Sequence, residues 1–197
     1  KGFYKVDVHM TQQEDTVIKN AVIATFHIKK GDKIKIDQIN FHGVNDEIKE
    51  SKLAKAMKKT KDRRITNFFR SKKFNEKEYK NDKNALIEVF NEAGFRDALV
   101  VSDSISYTPD NRMVLDIFFD QGKKYYFRNI TWTGNSVYST EQLNSVLMIK
   151  KGDIYDVVTM DKRLQGDPKQ QYMDVRKMYT DNGYLFFSIV PVEMNIE

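Results

Sequence analysis

The sequence predicts an α+β protein built from tandem modules, each a three-stranded mixed sheet covered on one face by two helices. Three observations carry that prediction. Gly31-Asp32-Lys33-Ile34-Lys35-Ile36-Asp37-Gln38-Ile39-Asn40-Phe41-His42-Gly43 is echoed 91 residues later by Gly122-Lys123-Lys124-Tyr125-Tyr126-Phe127-Arg128-Asn129-Ile130-Thr131-Trp132-Thr133-Gly134. A Gly-aromatic pair recurs at Gly2-Phe3, Gly94-Phe95 and Gly183-Tyr184. Between these markers the elements read strand, helix, helix, strand, strand. A repeat of roughly 90 residues is a domain-sized unit, too long for one turn of a solenoid. The expected division is the C-terminal hairpin of a preceding module at 1–33, a complete module at 34–124, and a module lacking its last strand at 125–197.

In the central copy, Lys35 to Phe41 reads as a strand whose alternation is imperfect, with Ile34 and Ile36 on one side and Ile39 and Phe41 on the other. Gly43 with Asn45-Asp46 ends it. A helix is expected from Asn45 or Asp46, with Ile48, Leu53, Ala56 and Met57 as its apolar stripe. Basic residues at its end suit the negative pole of the helix. A second helix is signalled by Asn75 and Glu78 in capping-box register, by Tyr79, Leu86, Ile87 and Phe90, and by Gly94 as a left-handed cap. Ala98–Tyr107 and Met113–Asp120 alternate as strands around the turn Thr108–Arg112.

In the last copy a strand is expected over Tyr126–Thr133. Ser139 and Gln142 stand in capping-box register before Leu143, Val146 and Leu147. A second helix carries Tyr172, Val175 or Arg176, and Tyr179 and closes at Gly183, and Phe186–Ile196 reads as a strand. At the front, Tyr4–Met10 and Asn20–His27 read as a hairpin with no preceding helices.

Composition narrows function. The chain has 197 residues, 31% charged and 40% hydrophobic, with mean hydropathy −0.62. That balance fits small modules in a row, with much surface for their core. No apolar run reaches the roughly 18 residues of a membrane helix. With no Cys, disulfides, Cys-ligated zinc and thiol catalysis are excluded. His9, His27 and His42 are scattered and belong to no i, i+4 pair or nucleophile motif. Neither catalysis nor a bound metal or cofactor is expected. The net charge is +5, but Lys49–Lys83 holds 14 basic against five acidic residues. That segment therefore carries +9 and the remainder −4. Lys58, Lys59, Lys61, Arg63, Arg64, Arg70, Lys72 and Lys73 form its densest part, which reads as a solvated face or as a surface for an acidic partner or lipid headgroups. With Phe68, Phe69, Phe74 and Tyr79 interleaved, a basic nucleic-acid module is the alternative from another class. Against it, a Gly-x-x-Gly clamp and an RNP-like octamer are both missing, so no nucleic acid is expected.

Ile-x-Phe/Trp-x-Gly on the first strand, Gly-aromatic after the second helix and a Gly-Lys/Asp link between units recur in one order at one period. Together they resemble POTRA (polypeptide-transport-associated) domains, specifically the periplasmic arm of BamA-type outer-membrane barrel assembly proteins. The resemblance covers nearly the whole chain. Its implication is a scaffold in the periplasm, reaching the outer membrane through a C-terminal barrel. Such a scaffold receives unfolded outer-membrane proteins and accessory lipoproteins by strand addition to an open sheet edge. The edge strand would be Ala98–Tyr107, placing Val100, Val101, Ser102, Asp103, Ser104, Ile105 and Ser106 at the contact. Small polar groups at Ser102, Ser104 and Ser106 suit a solvated edge. The POTRA arm of another translocation or cell-division protein is a second possibility within the same class. Lys61–Glu76 departs from the family's short link between helices by being longer and more basic.

Overall fold

A computed structural model describes residues 6–31, 34–62, 74–168 and 172–194. Its elements are β1 (Asp7–Glu14), β2 (Val22–Lys29), β3 (Ile36–His42), α1 (Glu50–Ala56), α2 (Glu76–Glu92), β4 (Leu99–Tyr107), β5 (Met113–Asp120), α3 (Thr140–Leu147), α4 (Val157–Gln165) and α5 (Val175–Thr180). By contact the chain divides into two compact units, one holding residues 1–42, 50–85 and 100–118, the other 43–49, 86–99 and 119–197.

The central copy realises strand, helix, helix, strand, strand. Its sheet has the order β3-β5-β4, so the last strand in the chain is the middle strand in space. β3 runs parallel to β5, with Ile36 opposite Met113 and Ile39 opposite Leu115. A register shift between Ile36 and Gln38 explains the imperfect alternation. The extra residue, Asp37, lets Ile36 and Ile39 face the core although they stand three apart. Asp37 is itself held by Arg112 at 3.6 Å. Along β5, Met113, Leu115, Ile117 and Phe119 are buried and the alternate residues are open.

α2 lies across the buried face. Asn75 accepts from the N–H of Lys77 (3.1 Å) and of Glu78 (3.5 Å) at its start, which is the Asn75 half of the expected capping box. Its end has the backbone pattern of a Schellman motif: Gly94 N–H to Asn91 C=O at 3.1 Å and Phe95 N–H to Phe90 C=O at 3.0 Å, with Gly94 at φ +90°. α1 begins five residues later than Asn45. The Asn45 side chain instead accepts from Glu47 N–H (3.0 Å) in a turn ahead of the helix. Lys58, Lys59 and Lys61 lie beyond the end of α1, not on its last turn.

Ahead of the central copy, β1 and β2 form an antiparallel hairpin, pairing Val8 with Ile28 and Met10 with Phe26. Every residue of both strands is exposed.

In the last copy, α3, α4 and α5 enclose Leu143, Leu147, Leu164, Val175 and Tyr179. The predicted capping box is complete, with Ser139 accepting from Gln142 N–H and Gln142 accepting from Ser139 N–H. The helix α4, capped by Asp156 on Thr159 N–H, was not expected. Neither expected strand forms among the described residues. Over Tyr126–Thr133 there is one isolated bridge, Tyr126 to Ile154, and 187–194 runs without ladder pairing. Among the described residues, neither segment has a counterpart of β5 to pair with.

Candidate interaction edge

β4 has β5 on one side and no strand of the described residues on the other. The seven residues expected at the contact therefore lie together on a sheet edge. Val101, Ser102, Asp103, Ser104 and Ser106 are exposed, while Val100 and Ile105 are partly covered. An edge strand presents a row of backbone donors and acceptors available to another strand.

Asp103 joins this edge to α2. Its carboxylate accepts from the Tyr79 phenol and the Lys83 ammonium, both at 2.8 Å. Partial burial alone would raise the Asp103 carboxyl. The bonds from Lys83 and Tyr79, with the Lys83 charge, outweigh that and hold it below the usual aspartate range. Burial, then the Asp103 bond and charge, push the Tyr79 phenol far up. A charge on the helix-facing side of an edge strand is thus satisfied within the module, and the Ser face is left plain. Beyond the odd–even alternation, no sequence signal marks this pairing.

The open face of the sheet is polar. Asn40 donates to Asp116 (2.9 Å), and His42 pairs with the same carboxylate oxygen at 2.9 Å and stacks on Phe118 at 4.6 Å. The bonds from His42 and Asn40 lower the Asp116 carboxyl. His42 is therefore a satisfied surface histidine. Among the described residues, no group of three or more His, Cys, Asp or Glu is placed to hold a metal. No helix among them is long and apolar enough to cross a membrane.

Of the basic run, Lys58 and Lys59 are exposed and Lys61 half-buried. Their backbone is pinned from inside. Buried Asp82 on α2 accepts from the N–H groups of Lys59 and Thr60, and buried Asp62 accepts from Ile39 N–H at 3.4 Å. Arg63, Arg64, Arg70, Lys72 and Lys73, with Phe68 and Phe69, lie outside the described residues.

The family model for POTRA, described as surface antigen variable number repeat, matches residues 34–122 and 125–197. The chain belongs to the POTRA family. Over 168 residues, 83% of this chain, it is 28% identical to a Treponema pallidum (strain Nichols) protein described as an outer membrane protein assembly factor. Over 95 residues, 48% of this chain, it is 27% identical to the outer membrane protein assembly factor BamA of Neisseria meningitidis serogroup B. The matched regions span only 18% and 12% of those relatives' lengths. Among solved structures it is similar to POTRA3-5 of Haemophilus influenzae BamA, with 17% identity and a TM-score of 0.46, covering 81% of this chain and 59% of that one. The Gly-aromatic markers of the two matched POTRA repeats have one physical meaning. Gly183 and Tyr184 repeat the geometry of Gly94 and Phe95: Gly183 N–H to Thr180 C=O and Tyr184 N–H to Tyr179 C=O, both 3.1 Å, with φ +89° at Gly183. Each POTRA copy ends its last helix with the same left-handed cap, and an aromatic ring follows to pack on the helix, Tyr184 on Tyr179 at 5.9 Å.

Proposed function

We propose that this POTRA chain is a non-enzymatic periplasmic scaffold of an outer-membrane β-barrel assembly protein. It binds unfolded client strands and accessory lipoproteins by adding their strands to β4. The observation that carries this reading is the position of β4: an exposed edge strand of nine residues in a family whose matched relatives are named as assembly factors. Backbone pairing is nearly blind to client sequence, which suits a general assembly factor. In this reading, 1–33 is the closing hairpin of a preceding module, 34–124 a whole module and 125–197 most of the next. A barrel further along the natural chain anchors the arm. Lys58, Lys59 and Lys61 meet an acidic partner surface or lipid phosphates.

The test uses proline on the edge. Alternate residues of an edge strand point their N–H outward, so Ser104→Pro and Ile105→Pro remove donors from opposite sides of β4. The variant that keeps its fold by circular dichroism has lost an outward donor. It should bind client β-strand peptides several-fold more weakly, read by crosslinking or by NMR shifts along 100–106. Undiminished binding by that variant would falsify the reading.

A further inference from the structure

The turn after α2 and the turn after α5 share one backbone. Beyond the caps already described, Ala98 N–H donates to Phe95 C=O (3.2 Å) and Phe187 N–H to Tyr184 C=O (3.1 Å). Arg96 and Asp97 therefore correspond to Leu185 and Phe186. In the first turn this place is occupied by the chain that follows it. Tyr125 N–H donates to Gly94 C=O (2.9 Å) and the Tyr125 phenol to Asp97 (2.6 Å). The Arg96 guanidinium lies over the Tyr125 ring at 5.4 Å and pairs with Glu193 at 3.0 Å. A Cβ on Gly94 would stand 2.7 Å from the Ile154 side chain. Around Gly183 the same test meets nothing within 4 Å. The polar pair has become an apolar one, with Leu185 74% and Phe186 100% exposed.

We infer that the turn at residues 183–186 is the docking point for the segment that follows Glu197 in the natural chain, and that this joint is apolar where the preceding one is ionic. Two adjacent bare apolar side chains gain by leaving water, and only against an apolar partner. The equivalent turn shows which partner the fold supplies: the start of the next unit, whose first aromatic residue covers the turn. The inference rests on reading this chain as part of a longer arm. It does not depend on client binding at β4, so either can fail alone.

The chain has no cysteine, which permits a direct test. Single variants Phe186→Cys and Leu185→Cys, the second retaining the Phe186 ring, are labelled with a maleimide. This is done in the 197-residue chain and in the natural longer chain with any cysteines of its own replaced by serine. Exposed Ser136→Cys serves as reference. Both sites should label at the reference rate in the short chain and at least tenfold more slowly in the long one. Equal rates in both chains would overturn the inference. So would protection that grows with protein concentration, which marks a second copy as the occupant. Protection that appears only with added anionic vesicles would also overturn it, by marking a lipid surface.

Discussion

The strand β5 in the central copy and the strand β2 ahead of it carry the same pattern in two conditions. β2 stands 91 residues before β5, residue for residue. In β5, Met113, Leu115 and Ile117 are fully buried; in β2, Val22 is 56%, Phe26 61% and Ile28 57% exposed. A hairpin alone buries little, and two strands are marginal in water. Burial in the central copy comes from α2 across one face and from β3 along the edge of β5. The difference teaches that the apolar alternation of a strand specifies which face can be covered, while the covering is supplied from elsewhere in the module.

The largest expected effect tests this directly. Ile117→Ala should destabilise the chain by about 2–5 kcal/mol, the range for emptying a core site. Phe26→Ala, at the equivalent position, should stay within about 0.5 kcal/mol. Urea denaturation compares them, and equal losses would break the comparison. The two glycine caps come next. Ala at Gly94 meets both left-handed strain, about 1–2 kcal/mol, and the Ile154 side chain with Tyr125 C=O at 3.1 Å. A loss of about 2–4 kcal/mol is expected when overpacking is added. Gly183→Ala meets the strain alone and should lose about 1 kcal/mol.

Asp103 gives a smaller, pH-dependent effect. Its carboxyl lies below the ordinary value in the folded chain. Its contribution is therefore present above the ordinary aspartate range, near about 4, and fades as pH falls through the lowered folded value. Side-chain exposure of 31% screens the charge. Asp103→Asn should lose about 1 kcal/mol at neutral pH and flatten the acid slope of stability. The last copy carries Val192 at the equivalent place and supplies no such slope. Smallest are the helix starts. Ser139→Ala, which breaks a reciprocal box, should cost about 1 kcal/mol, and Asn75→Ala about 0.5 kcal/mol. Thermal unfolding of both variants orders them.

Local chemistry was legible in the sequence. Gly94 and Gly183 announce left-handed caps because few other residues tolerate that backbone, and Ser139 with Gln142 announces a helix start because both orphan donors need partners. Turn residues at Thr108–Arg112 likewise mark the hairpin. What depended on distant pairing was not legible. The Asp37 bulge follows from fitting β3 against β5, 77 residues away, and no alternation within β3 alone displays it. Strands expected over Tyr126–Thr133 and Phe186–Ile196 need a middle strand to pair with. α4 had its signals, Asp156 before Val157, Met160 and Leu164, but the repeat unit of the central copy holds two helices and has no counterpart to it. The edge position of β4 came from the family resemblance, since strand order in space is not written in strand alternation. Its Asp103–Tyr79–Lys83 bonding joins residues 24 and 20 positions apart, which no local pattern links.

The placement of β5 in the middle of its sheet also constrains how the chain can be made. A polypeptide emerges N-terminus first, so β3, both helices and β4 are complete before the strand that joins them exists. Until Met113–Asp120 appears, β3 and β4 have no common neighbour, and the apolar side of each is open to unwanted association. Closure of such a module is a late, all-at-once event with long sequence separation, the kind of topology that folds slowly. Each module of a tandem arm would pass through this exposed interval in turn, and a pause in synthesis just before a final strand is where the chain is most exposed to misassembly.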